Sequence, residues 1–120
     1  MPTGSNFTPL EKAVFVAICE MHLADRVALD MQLASAAVTR RENTGAGFYT
    51  DFEVERTSPP TIEHGPLGGP EAKIDGLEHG MGFLLWLENG YAKCLEGYCY
   101  DESTVGIDFE QVGFKITESN

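Results

Sequence analysis

The sequence predicts an α+β domain: an N-terminal helical segment, as one bent helix or two, packed on a mostly antiparallel sheet of about six strands. Three observations carry this. Apolar residues recur at helical spacing before Ala37, and after it they alternate with polar ones at a period of two. An Asn-Gly pair at 89–90 joins two of the apolar segments, and such a pair supplies the positive φ that a tight hairpin turn needs. Helices first and strands after is the pattern of a sheet with helices on one face.

At 120 residues the chain has room for one core and needs no disulfide or metal staple to close it. Residues 1–7 are expected to be a disordered lead-in and residues 8–120 a single α+β domain. Thr8-Pro9-Leu10-Glu11 forms a capping box with proline at the first helical position, so a helix is expected from about Pro9 to Leu23, with Leu10, Val14, Ile18 and Met21 inward. Asp25 is a plausible N-cap for a second helix reaching about Ala36, with Leu29 and Leu33 on its apolar side.

From Gly47 to Glu55, Phe48, Thr50, Phe52 and Val54 face one way, while Tyr49, Asp51, Glu53 and Glu55 face the other. That is a half-buried strand. Ala37–Asn43 is expected to pair with it. Residues 57–71 hold four prolines and three glycines and read as a long connection without regular structure. Ala72–Leu77 is expected as a strand, as are Val105–Phe109 and Val112–Ile116, with a bulge or turn near Glu110. A two-residue turn at Asn89-Gly90 would set Leu87 opposite Ala92, Leu85 opposite Cys94 and Phe83 opposite Glu96.

The charge is unusual. Nineteen acids and eight bases give a formal net charge of −11, with the surplus heavier after residue 70. An acidic field repels phosphate and anionic headgroups, which argues against nucleic acid and membrane partners and favours a basic protein partner. Solubility alone also accounts for an acidic surface. The three cysteines, Cys19, Cys94 and Cys99, are odd in number and lack C-x-x-C spacing. There is no secretory leader pattern and no apolar run near the ~18 residues of a membrane span. A cytoplasmic location is therefore expected, with the thiols reduced.

The hairpin register just given places Glu96 among Phe83, Leu85 and Leu87. A carboxylate there would be a candidate general acid or base, with Glu78 and His79 as neighbours. The alternative is a structural acid that accepts backbone amides or pairs with Arg40 or Arg41. His64 and His79 are weak metal candidates, because no H-x-x-x-H or H-E-x-x-H spacing supports them. No cofactor is implied: Gly76, Gly80 and Gly82 do not open a helix as a phosphate loop would. Arg40 and Arg41 could hold an anion or pair internally. Tyr49, Tyr91, Tyr98, Tyr100 and Asp101 give aromatic faces ringed by carboxylates, a composition that suits a protein interface.

The segments Arg41-Glu42-Asn43-Thr44-Gly45-Ala46-Gly47-Phe48-Tyr49-Thr50-Asp51 and Gly76-Leu77-Glu78-His79-Gly80-Met81-Gly82-Phe83, with Leu95-Glu96-Gly97-Tyr98, resemble a group of small bacterial proteins of uncharacterised function. That resemblance implies a compact α+β domain and carries no activity, cofactor or catalytic residue. The Leu-Glu-Gly-Tyr tail is also loosely similar to immunity proteins of bacterial toxin systems, several of which are small, acidic and intracellular. Three functional readings result: a regulatory or immunity-like protein-binding module, a ligand-binding or hydrolytic domain with a cleft near His79, Glu78, Glu96 and His64, and a self-associating structural protein.

Overall fold

A computed structural model describes residues 7–118. The expected class holds: two helices pack on one six-stranded antiparallel sheet. Helix α1 spans Pro9–Met21 and begins at the expected capping box. The Glu11 amide donates to Thr8 Oγ1 at 3.1 Å, and the Thr8 amide donates to Glu11 Oε1 at 2.8 Å. A single 3-10 turn at Leu23–Asp25 leads to α2, Arg26–Ala34, so the helical segment is two helices. Asp25 does not cap α2 through its side chain. It is buried instead and accepts the amides of Ile62 (2.6 Å) and Glu63 (3.2 Å), which fastens the long connection to the helices.

The strands are β1 Ala37–Asn43, β2 Gly47–Glu53, β3 Leu67–Ile74, β4 Met81–Glu88, β5 Tyr91–Cys99 and β6 Phe114–Glu118, in the order β1-β2-β5-β4-β3-β6. Helix α1 lies against β3 and α2 against β5. Both helices cover the face carrying Phe48, Phe52, Phe83, Leu85, Leu87 and Leu95, and Leu10, Val14, Ile18 and Leu29 close the core from above. Phe7, expected in the lead-in, is buried edge-on against Phe15 and Phe52. The remainder of the lead-in, residues 1–6, lies outside the described residues.

Three expectations about strands need correction. The Pro/Gly-rich connection is shorter than expected, because β3 starts at Leu67 and includes Pro70. The ladder with β4 shifts register between Gly68 and Glu71, where a proline's missing N–H costs no ladder bond. Val105, Ile107 and Phe109 do not form a strand. Residues 101–113 instead cross the β1–β2 turn, held by Thr104 Oγ1, which takes the Gly47 amide at 3.1 Å, and by Asn43 Nδ2, which donates to the Thr104 carbonyl at 2.8 Å.

The third correction matters most. The turn forms at Asn89 (φ 54°) and Gly90 (φ 83°), and Leu87 faces Ala92 as expected. The register then slips: Trp86 faces Cys94, Leu85 faces Leu95, Leu84 faces Glu96 and Phe83 faces Gly97. One extra residue on β5 has turned every later side chain to the opposite side. Glu96 therefore points away from the core.

Candidate functional site

The sheet face opposite the helices carries the densest set of the candidate residues. Ladder registers place Arg40, Asp51, Cys94 and Trp86 in one row across β1, β2, β5 and β4, and Glu42, Tyr49, Glu96 and Leu84 in the next. A third row runs through Tyr98, Gly82 and Glu71. The alternation that buries Phe48, Thr50 and Phe52 turns Tyr49, Asp51 and Glu53 outward, as the sequence pattern requires. Trp86 and Tyr49 remain 37% and 39% exposed on this face.

Glu96 is the centre of this face. Its Oε1 accepts Trp86 Nε1–H at 2.9 Å, and the Tyr49 hydroxyl lies 3.4 Å from Oε2. The Glu96 charge is the first cause that raises the Tyr49 phenol above its ordinary pKa. Neither arginine expected to pair with Glu96 does so. Arg40 Nη2 is 3.1 Å from Glu42, and Arg41 reaches the other face to grip Glu11.

At the β3 end, Tyr98 packs edge-on against Tyr100 with ring centroids 5.7 Å apart. The Tyr100 hydroxyl lies 2.9 and 2.8 Å from the two Glu71 oxygens, and burial together with Glu71 raises its pKa. Asp101 is exposed in a left-handed bend at φ 55°. Tyr91 belongs elsewhere in the structure. Its hydroxyl donates toward the Arg56 and Ser58 carbonyls at 3.1 and 2.9 Å, and the Arg56 guanidinium sits 4.5 Å above its ring. It fastens the connection between β2 and β3.

The candidate acids and base do not gather. Glu96 lines a depression with Tyr49, Asp51, Trp86, Lys93 and Cys94. Glu78 and His79 line another, with Glu71, Asp75 and Thr117. Their backbone amides are clamped by the Glu102 carboxylate at 2.7 and 2.8 Å, which lowers the Glu102 pKa. His64 is exposed on the β2–β3 connection. Among the described residues, no group of three or more His, Cys, Asp or Glu side chains is arranged to hold a metal ion.

Sequence reasoning did not single out as site residues Trp86, which the alternation of β4 turns outward between buried Leu85 and Leu87, or Gln32 of α2. Gln32 is fully buried; its Nε2 donates to the Pro59 and Gly90 carbonyls, each at 2.9 Å, and its Oε1 accepts the Ala92 amide at 2.9 Å. On the helical side, Leu23, Val27 and Met31 form a second set of exposed apolar residues. Comparison with models of protein families, with characterised proteins and with solved structures finds no match for this chain. Among the described residues no helix is long and apolar enough to cross a membrane.

Proposed function

We propose that this chain acts by binding a protein and not by turning over a substrate. In this reading it is a cytoplasmic regulatory or immunity-like module whose outer sheet face meets a basic partner. The loose similarity of the Leu-Glu-Gly-Tyr tail to immunity proteins agrees with it. One observation carries the reading: the face away from the helices exposes Tyr49, Trp86 and Tyr100 among Glu42, Asp51, Glu71 and Glu96. Aromatic residues are enriched at interface centres, and a negative field steers a positive partner. The exposed apolar residues of the helical side lack that charge signature.

The test uses tagged protein recovered from its native cells at low ionic strength. Wild type is compared with the face variant Glu42→Lys/Glu71→Lys and with the helical-side variant Val27→Asp. The reading expects a basic protein retained by wild type and by Val27→Asp, released by moderate salt and lost in the face variant. Retention lost only in Val27→Asp moves binding to the helices and overturns it. So does the absence of any retained protein.

A further inference from the structure

Within the outer face, the depression around Glu96 has a more specific chemistry. Glu96 on β5 stands directly opposite Tyr49 on β2 and diagonal to Trp86 on β4, so aromatic side chains from both flanking strands reach over one carboxylate. A carboxylate offers about four acceptor sites, and these two donors use two of them. Asp51 lies two residues along β2, beside the Cys94 thiol. Among the described residues neither Asp51 nor Glu96 has a cationic partner within ion-pair distance. Arg40, opposite Asp51, is engaged by Glu42, and Lys93 lines the rim without pairing to either acid.

Two carboxylates without an ion pair, beside two partly exposed aromatic rings, complement a cation, because ring quadrupole and carboxylate attract the same charge. A planar guanidinium fits this better than an ammonium: it stacks on an indole and forks onto a carboxylate at once. We infer that the Tyr49–Glu96–Trp86 depression seats an arginine side chain of the basic partner; the inference rests on the protein-binding reading above.

Trp86 is the only tryptophan in the chain, so its indole N–H resonance reports this depression alone. The probe is N-acetyl-arginine amide, with N-acetyl-citrulline amide as its uncharged isostere and N-acetyl-lysine amide as the ammonium comparison. The indole resonance is expected to move saturably with arginine amide, less with lysine amide and hardly at all with citrulline amide. Glu96→Gln, which preserves an acceptor for the indole, should weaken the response about tenfold. Equal shifts with arginine and citrulline, or none, overturn the seat.

The partner experiment separates the two levels. A protein lost from Glu42→Lys/Glu71→Lys but retained by both Trp86→Ala and Glu96→Gln sinks the seat and leaves the protein-binding reading standing. Concentration-dependent self-association abolished by Trp86→Ala assigns the depression to a second copy and also overturns the inference. Partner retention lost in Trp86→Ala and in Glu96→Gln supports it.

Discussion

Glu11 and Arg41 join the first turn of α1 to the edge strand β1 across thirty residues of sequence. Arg41 Nη2 stands 2.8 Å from Glu11 Oε1 and Nε stands 3.1 Å from Oε2, a two-point grip. Glu11 is only 2% exposed, and it also takes the Thr50 hydroxyl and the Thr8 amide. One residue of the capping box is thus the hub that fixes how the helix sits on the sheet.

Arg41→Met should therefore cost about 3 kcal/mol, since it strands a buried carboxylate without its counter-charge. Glu11→Gln should cost less, because the amide still accepts from Thr8 and the Arg41 charge left behind is one-third exposed, where water can solvate it. The double variant should be more stable than the two single losses add to, with a coupling of about 1–3 kcal/mol. Denaturant unfolding of all four proteins measures this, and a loss under about 1 kcal/mol for Arg41→Met would show the grip to be dispensable.

The helix start was legible because Thr8, Pro9 and Glu11 are local: every group in the capping box lies within one turn. The turn at Asn89-Gly90 was legible for the same reason, since positive φ is a property of the residues themselves. What escaped was set by distant partners. No residue type marks the register slip between Leu87 and Trp86, yet it carries Glu96 from the core to the outer face and seats it between Tyr49 and Trp86, which alternation already turns outward. The alternation of Val105, Ile107 and Phe109 resembled a strand, but their backbone lies across the β1–β2 turn because Thr104 and Asn43 hold it there. Phe109 then spends its ring on Phe48, at 4.7 Å between centroids. Glu11 is the cap its spacing predicts; its second role depends on an arginine thirty residues away, which spacing does not announce.

Glu102 makes a pH prediction. The amides of Glu78 and His79 hold its carboxyl below the ordinary glutamate value, with the nearby His79 charge adding to this. A lowered folded value means the clamp is fully present above the unfolded glutamate pKa and is lost as pH falls through the folded one. The amide protons of Glu78 and His79 should therefore shift together on acidification, with a shared midpoint below that of a model glutamate. Glu102→Gln should remove that common transition. Separate midpoints at ordinary glutamate values would contradict the clamp.

The three thiols should differ sharply in reactivity. Burial first, and then Asp30, push Cys19 up to about 12; burial first, and then Asp51, do the same for Cys94. At pH 8 a thiol of that pKa is thiolate in only about one molecule in ten thousand, and thiolate is the nucleophile. Cys99 is half-buried, with Sγ 3.1 Å from the Glu102 carbonyl. A colorimetric disulfide reagent should modify at most one thiol per native molecule quickly, at Cys99, and all three in denaturant. Rapid native labelling of two or more would mean that α1, which holds Cys19, or β5, which holds Cys94, opens more readily than its burial implies.

Two glycines on neighbouring strands should respond differently to the same added methyl group. A Cβ at Gly97 would lie 2.6 Å from the Phe48 ring and 2.8 Å from Met81 Cε, and both of those side chains are buried. Neither has room to yield, so Gly97→Ala should cost about 2–3 kcal/mol through overpacking. A Cβ at Gly82 would lie 2.5 Å from the outer end of the Tyr98 ring, which stands on the open face and can swing aside. Gly82→Ala should cost less than about 1 kcal/mol while breaking the edge-on contact of Tyr98 with Tyr100. Thermal unfolding of the two variants, together with the Tyr98 and Tyr100 ring resonances, tests both halves. Equal destabilisation would mean that the outer face is packed as tightly as the core, and a face that rigid would already have its tyrosines committed before any partner arrived.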